Sequence, residues 1–158
     1  MLGTVVAGAL WWLYFDVVAL VAERRLTNAA EGRERNAIAR DSYSFLHLPM
    51  VAGIVLGALG LKKTLGHVDE QLEIVPATAL FGGVALYYAG HVAFRLRSGG
   101  RLSTQRVVAV LAALALIPLA TAVDALVALA LAAALTSGLI AYELIRFREG
   151  LSRLRAAI

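Results

Sequence analysis

The chain has 158 residues, 60% hydrophobic and 16% charged, with a mean hydropathy of +0.76. A soluble domain carries about 25% charged residues, so the composition argues against a water-soluble fold and for a single integral membrane domain spanning 1–158. Net charge is +4 and there is no cysteine. Disulfides, thiolate metal sites and cysteine nucleophiles are therefore excluded, and the arginines read as cytoplasmic-loop residues of a membrane protein rather than as a nucleic-acid surface.

About 20 helical residues cross a hydrocarbon layer ~30 Å thick. Five apolar runs approach or reach that length, which predicts an all-α, polytopic transmembrane helix bundle of about five spans. The first run, residues 2–22, is interrupted only by Asp16 and ends at Glu23-Arg24-Arg25. It lacks the basic start and small-residue cleavage site of a signal peptide, so it reads as a retained helix. A charged loop follows over 23–41. The second span covers about 43–61, with His47 and Pro49 in its first third and Lys62-Lys63 at its end. A polar connection containing Asp69, Glu70 and Glu73 leads to a third span over about 74–94, with Pro76 suited to its first turn. Arginines and Gly99-Gly100 make the next loop, 95–104. The fourth span covers about 105–120, and Pro118 kinks or closes it. A fifth runs over about 125–145, followed by a basic tail, 146–158.

Five spans put the termini on opposite sides. The 23–41 loop, the loop ending at Arg106 and the tail then share one side and hold thirteen of the fifteen basic residues. Basic residues concentrate in cytoplasmic loops, so the N-terminus is expected outside and the C-terminus inside.

Ionisable residues inside a span cost ~2.5–3.5 kcal/mol at a helix centre on insertion scales, and each needs a reason. Four stand out: Asp16, His47, His91 and Glu143. Counted from the nearest loop charge, they lie ~4–10 Å from the cytoplasmic edge on four different helices. Two carboxylates and two imidazoles at one depth could relay a proton near neutral pH or hold a divalent cation. The competing reading is structural: Glu143 pairs with Arg146 or reaches the surface, His91 bonds a tyrosine, and Asp16 and His47 pair internally. No HxxxH or HExxH motif appears, so no metal or cofactor is expected. Pro49, inside the second span, would free the Phe45 carbonyl and kink the helix. Gly53, Gly57 and Gly60 form a small-residue face for close helix packing, with Gly82-Gly83 offering a matching face on the third span. No nucleophile elbow, phosphate loop or dinucleotide motif is present, so an enzyme is not expected.

The blocks Trp11-Trp12-Leu13-Tyr14-Phe15-Asp16, Phe45-Leu46-His47-Leu48-Pro49-Met50 and Gly90-His91-Val92-Ala93-Phe94-Arg95 resemble the C-terminal part of the bacterial low temperature requirement A (LtrA) family. The resemblance runs through nearly the whole chain. It implies a multi-pass protein of the bacterial inner membrane with no assigned biochemical activity. Longer members of that family carry an N-terminal half with Glu-Leu-Phe-Phe-Asp and Gly-Glu-Ser blocks, which are absent here. The chain is thus expected to be one half of a two-part bundle that packs with a partner half or a second copy, in the lipid bilayer. Two functions compete on these grounds. One is a proton- or cation-linked transporter or channel-like protein of unknown substrate. The other is a structural or regulatory subunit that transports nothing.

Overall fold

The computed structural model describes residues 1–15, 32–33, 40, 45–97 and 102–146. Among the described residues lie five helices and no strand: α1 (Leu2–Leu13), α2 (His47–Gly66), α3 (Ile74–Arg97), α4 (Thr104–Ala120) and α5 (Ala125–Arg146). α2, α3 and α5 are long and apolar enough to cross a membrane, and α1 and α4 are shorter apolar helices.

The helix limits follow from local chemistry. α2 begins at His47, so Pro49 falls in its first turn rather than in its interior. There its missing N–H is one of the donors a helix start leaves unpaired anyway. α2 also extends a turn beyond its expected end. Lys62 and Lys63 are exposed, favour helix, and keep their ammonium groups clear of the core. The helix stops only at Gly66, where His67 turns to φ −144°. α3 starts after the extended Glu73, carries Pro76 in its first turn, and widens into a π-helical turn over Thr78–Gly82. Pro118 occupies the last turn of α4; the Thr121 hydroxyl donates to the Pro118 carbonyl at 2.9 Å, and the helix closes at Ala120.

α3 is the axis of the bundle. Over its most apolar 18-residue stretch it is 67% buried, against 28% for that stretch of α2 and 39% for that of α5. Leu80, Phe81, Val84, Tyr87, Tyr88 and His91 on α3 are all buried. α2 packs on one side of it and α4 on the other; α5 packs against α4 and α1. The outward faces remain apolar, with Val51, Ile54, Val55 and Leu59 of α2 and Val108, Leu111 and Leu114 of α4 exposed. An apolar belt of this extent belongs in hydrocarbon, not water. Two buried threonine hydroxyls are satisfied within their own helices: Thr64 donates to the Gly60 carbonyl at 2.8 Å and Thr136 to the Ala132 carbonyl at 2.9 Å. This is the arrangement a lipid-embedded helix requires.

The α2–α3 contact is unusually close. A Cβ on Gly53 would lie 2.6 Å from the Tyr87 backbone N and 2.7 Å from the Gly83 carbonyl O. One on Gly83 would lie 2.8 Å from the Gly57 Cα, one on Gly60 2.6 Å from the Leu80 Cα, and one on Gly90 2.7 Å from Met50 Cγ. The pairs step every three or four residues along both helices, so the backbones stay in contact from one end of the seam to the other.

At the Lys62 end the connection after α2 is sewn to the start of α5. Ala125 N–H donates to the Glu70 carbonyl at 2.8 Å and Leu126 N–H to the Val68 carbonyl at 3.1 Å, beside an isolated Gln71–Asp124 bridge.

Candidate functional site

The antiparallel course of the helices gathers the end of α1, the start of α2, the end of α3, the start of α4 and the end of α5 at one end of the bundle. His47 and His91 meet there around Tyr14. The Tyr14 ring lies 5.4 Å from His47 and 6.5 Å from His91, edge to face in both cases. Each of these three residues comes from a different helix, so the cluster exists only in the assembled bundle.

His91 is buried, with 1% of its surface exposed. Its Nδ1 lies 2.9 Å from the Tyr87 carbonyl of its own helix, and its ring packs against that of Tyr87 at 4.3 Å, tilted by 58°. That contact fixes the ring and makes Nδ1 the protonated nitrogen of the neutral form, leaving Nε2 as an acceptor. Nε2 is buried and has no hydrogen-bond partner among the described residues. The Tyr88 hydroxyl is in the same condition. Ser103 Oγ, just before α4, is the third such atom among the described residues; buried polar atoms are almost always satisfied, so these three mark this end of the bundle. The Tyr87 hydroxyl, by contrast, bonds the Leu10 carbonyl and ties α3 to α1. His47, at the first position of α2, is half-buried.

Glu143 does not join the imidazoles. Its carboxylate is held in a two-point ion pair by Arg106 of α4, with Nε to Oε1 at 2.8 Å and Nη2 to Oε2 at 2.9 Å. Gln105 Nε2 adds a long contact at 3.5 Å. Arg106 is 5% exposed. The pairing with Arg146 expected from sequence is therefore corrected. Arg146 is one turn further out and exposed, whereas Arg106 offers a planar fork that matches the carboxylate where water is excluded. The ion pair sits within electrostatic reach of His91 and Tyr88. Asp16 lies outside the described residues.

Sequence reasoning missed Arg106, which it counted among loop arginines. A signal was available: α4 and α5 are joined by a tight turn, so residues near the start of one face those near the end of the other. A carboxylate one turn inside α5 then has Arg106 as its natural partner. Tyr14 was visible only as part of a sequence block, because nothing in one helix says which ring from another will stand between two histidines.

Beside the cluster, α1 stands off from α2 and leaves a cavity of about 370 Å³. Its lining is apolar except at the Tyr14–His47 end. Among the described residues, no three His, Asp or Glu side chains gather as metal ligands would.

A family model for bacterial low temperature requirement A protein (LtrA) matches residues 1–141. No curated protein and no solved structure matches the chain.

Proposed function

The chain belongs to the bacterial low temperature requirement A (LtrA) family, and from that membership we propose a multi-pass protein of the bacterial inner membrane whose Tyr14–His47–His91 cluster handles a proton or small cation. The observation that carries this reading is the buried Nε2 of His91, without a hydrogen-bond partner among the described residues, beside a second histidine and a tyrosine from two other helices. An imidazole takes up and releases protons near neutral pH, and half-buried His47 gives the cluster a way out at the end of the bundle. Asp16, two residues beyond Tyr14 in the chain, is the proposed carboxylate of this site. The basic residues that crowd this end make it the cytoplasmic one, with the N-terminus outside and the C-terminus inside. No catalytic role is proposed. A second copy or a partner half is the proposed neighbour in the bilayer.

The test is ion flux in proteoliposomes at several pH values. Wild type is expected to collapse an imposed pH gradient, and His91→Gln and Asp16→Asn to reduce flux to the liposome background while remaining folded. Equal, background-level flux from all three would sink the proposal. Orientation is tested separately: the chain has no cysteine, so a single cysteine added at either terminus reports its side through labelling by a membrane-impermeant thiol reagent. The second reading, a structural or regulatory subunit, draws on the Arg106–Glu143 pair and the apolar cavity. It predicts that His91→Gln lowers the melting temperature of the detergent-solubilised protein and that no flux occurs at all.

A further inference from the structure

Among the described residues, the gap between α1 and α2 is bounded on all sides but one. α1 is held by α5 and by the Tyr87 hydroxyl on the Leu10 carbonyl. The gap closes at one end where Gly3 meets the Leu61 side chain and at the other where Tyr14 meets His47. Leu80 and Val84 of α3 form its floor. Its rim carries exposed Trp11, Phe15, Val51 and Ile54, so it opens onto the apolar outer surface and not onto water.

Three observations select the occupant. The volume, about 370 Å³, is in the range of small-molecule sites, ~300–1,000 Å³. Two turns of a helix ~10 Å across would displace about 850 Å³, so a helix from another chain could lie across the groove but not sit within it. The polar groups of the lining are confined to the Tyr14–His47 end, the pattern that suits an amphiphile with one head and one chain. Charge is likewise divided. Among the described residues, that end carries Arg33, Arg40, Arg95, Arg97, Arg106 and Arg146 against Glu143, whereas the other carries Lys62 and Lys63 against Asp69, Glu70, Glu73 and Asp124. An acidic head is favoured at the first end and disfavoured at the second.

We infer that the α1–α2 groove binds one chain of a membrane lipid with an acidic headgroup. The chain lies against Val6, Leu10, Ile54 and Val84, and the head lies at Tyr14 and His47. The inference does not depend on the cluster moving protons, since flux can be absent while the groove is filled.

The protein's two tryptophans make the test direct. Trp11 lines the groove; Trp12 does not, although it too is exposed. Each is kept in turn, in Trp12→Phe and Trp11→Phe, in bilayers of phosphatidylcholine containing rising fractions of lipid brominated on its chains. With Trp11 kept, quenching by brominated phosphatidylglycerol is expected to saturate at a fraction about tenfold below that needed with brominated phosphatidylcholine. With Trp12 kept, quenching should rise with bulk fraction alike for both lipids. Ala58→Phe, at an exposed position lining the groove, should remove the saturable phase. Should that variant not fold, Ala7→Phe fills the groove from α1. Trp11 quenching that follows bulk fraction as Trp12 does, or a saturable phase that survives a filled groove, overturns the inference. So does a dimer that Ala58→Phe converts to monomer, which would assign the groove to a second copy.

Discussion

The two flanks of α2 are built from the same stretch of chain and behave in opposite ways. Toward α3 the helix presents Met50, Gly53, Gly57, Gly60 and Thr64, all buried, and the backbones touch. Toward α1 it presents His47, Val51, Ile54 and Ala58, and the helices part around a cavity. Inside a bilayer there is no hydrophobic gain from pushing two apolar helices together, because lipid tails are as apolar as leucine. Close packing therefore needs small residues on both partners, which α2 and α3 have in Gly53, Gly57, Gly60, Gly83 and Gly90. α1 meets α2 with the bulk of Leu10, Trp11 and Tyr14. Its attachment comes instead from α5 and from one tyrosine hydroxyl. The bundle thus has a closed side, α2 to α5, and an open side at α1.

Perturbations of the two sides should differ in a definite order. The largest effect is expected on the closed side from Arg106→Leu, which strands the Glu143 carboxylate: breaking a buried pair costs about 3–5 kcal/mol. Melting of the detergent-solubilised protein should show the loss, and adding Glu143→Leu should restore most of it. Gly83→Ala comes next. Its Cβ meets the Gly57 backbone, which cannot yield as a side chain does, and overpacking of this kind costs about 1–3 kcal/mol or more. Tyr87→Phe removes the strut to Leu10 at about 1 kcal/mol, and its particular signature should be freer amide exchange in α1 with α2 and α3 unchanged. Gly57→Ala should be nearly silent, within about 0.5 kcal/mol, since the nearest atom to its Cβ is the Leu80 carbonyl O at 4.0 Å. A melting temperature for Gly57→Ala as low as that for Gly83→Ala would mean the seam is not arranged as described.

That last contrast also measures what the sequence could reveal. The helices were legible because charged and turn residues bracket the apolar runs: Glu73 and Arg97 around α3, Ser103 and Thr121 around α4, Asp124 and Arg146 around α5. The small-residue face of α2 was legible as a spacing. Which glycine is tight was not. Gly57 and Gly60 are equivalent in any reading of α2 alone, and the difference arises from the π-helical turn of α3, at which Leu80 sits against Gly60. The Arg106–Glu143 pair escaped for a related reason. Composition assigns an arginine near a helix start to the water, and only the facing of α4 by α5 turns it inward. His47 and His91 could be matched in depth by counting residues, but the Tyr14 ring between them depends on how α1 is rotated.

The backbone stitching between residues 68–70 and the start of α5 has a mechanical consequence. It fastens the α2–α3 hairpin to the α4–α5 hairpin at the Lys62 end, and so fixes a pivot there. For helices ~25–30 Å long, a relative rocking of ~5° leaves the pivot almost still and swings the far end by ~2–3 Å. The far end is where His47, His91 and the Arg106–Glu143 pair reside. The whole leverage of the bundle is therefore delivered to its polar residues, and the ion pair between α4 and α5 stands at the far tip of its own hairpin.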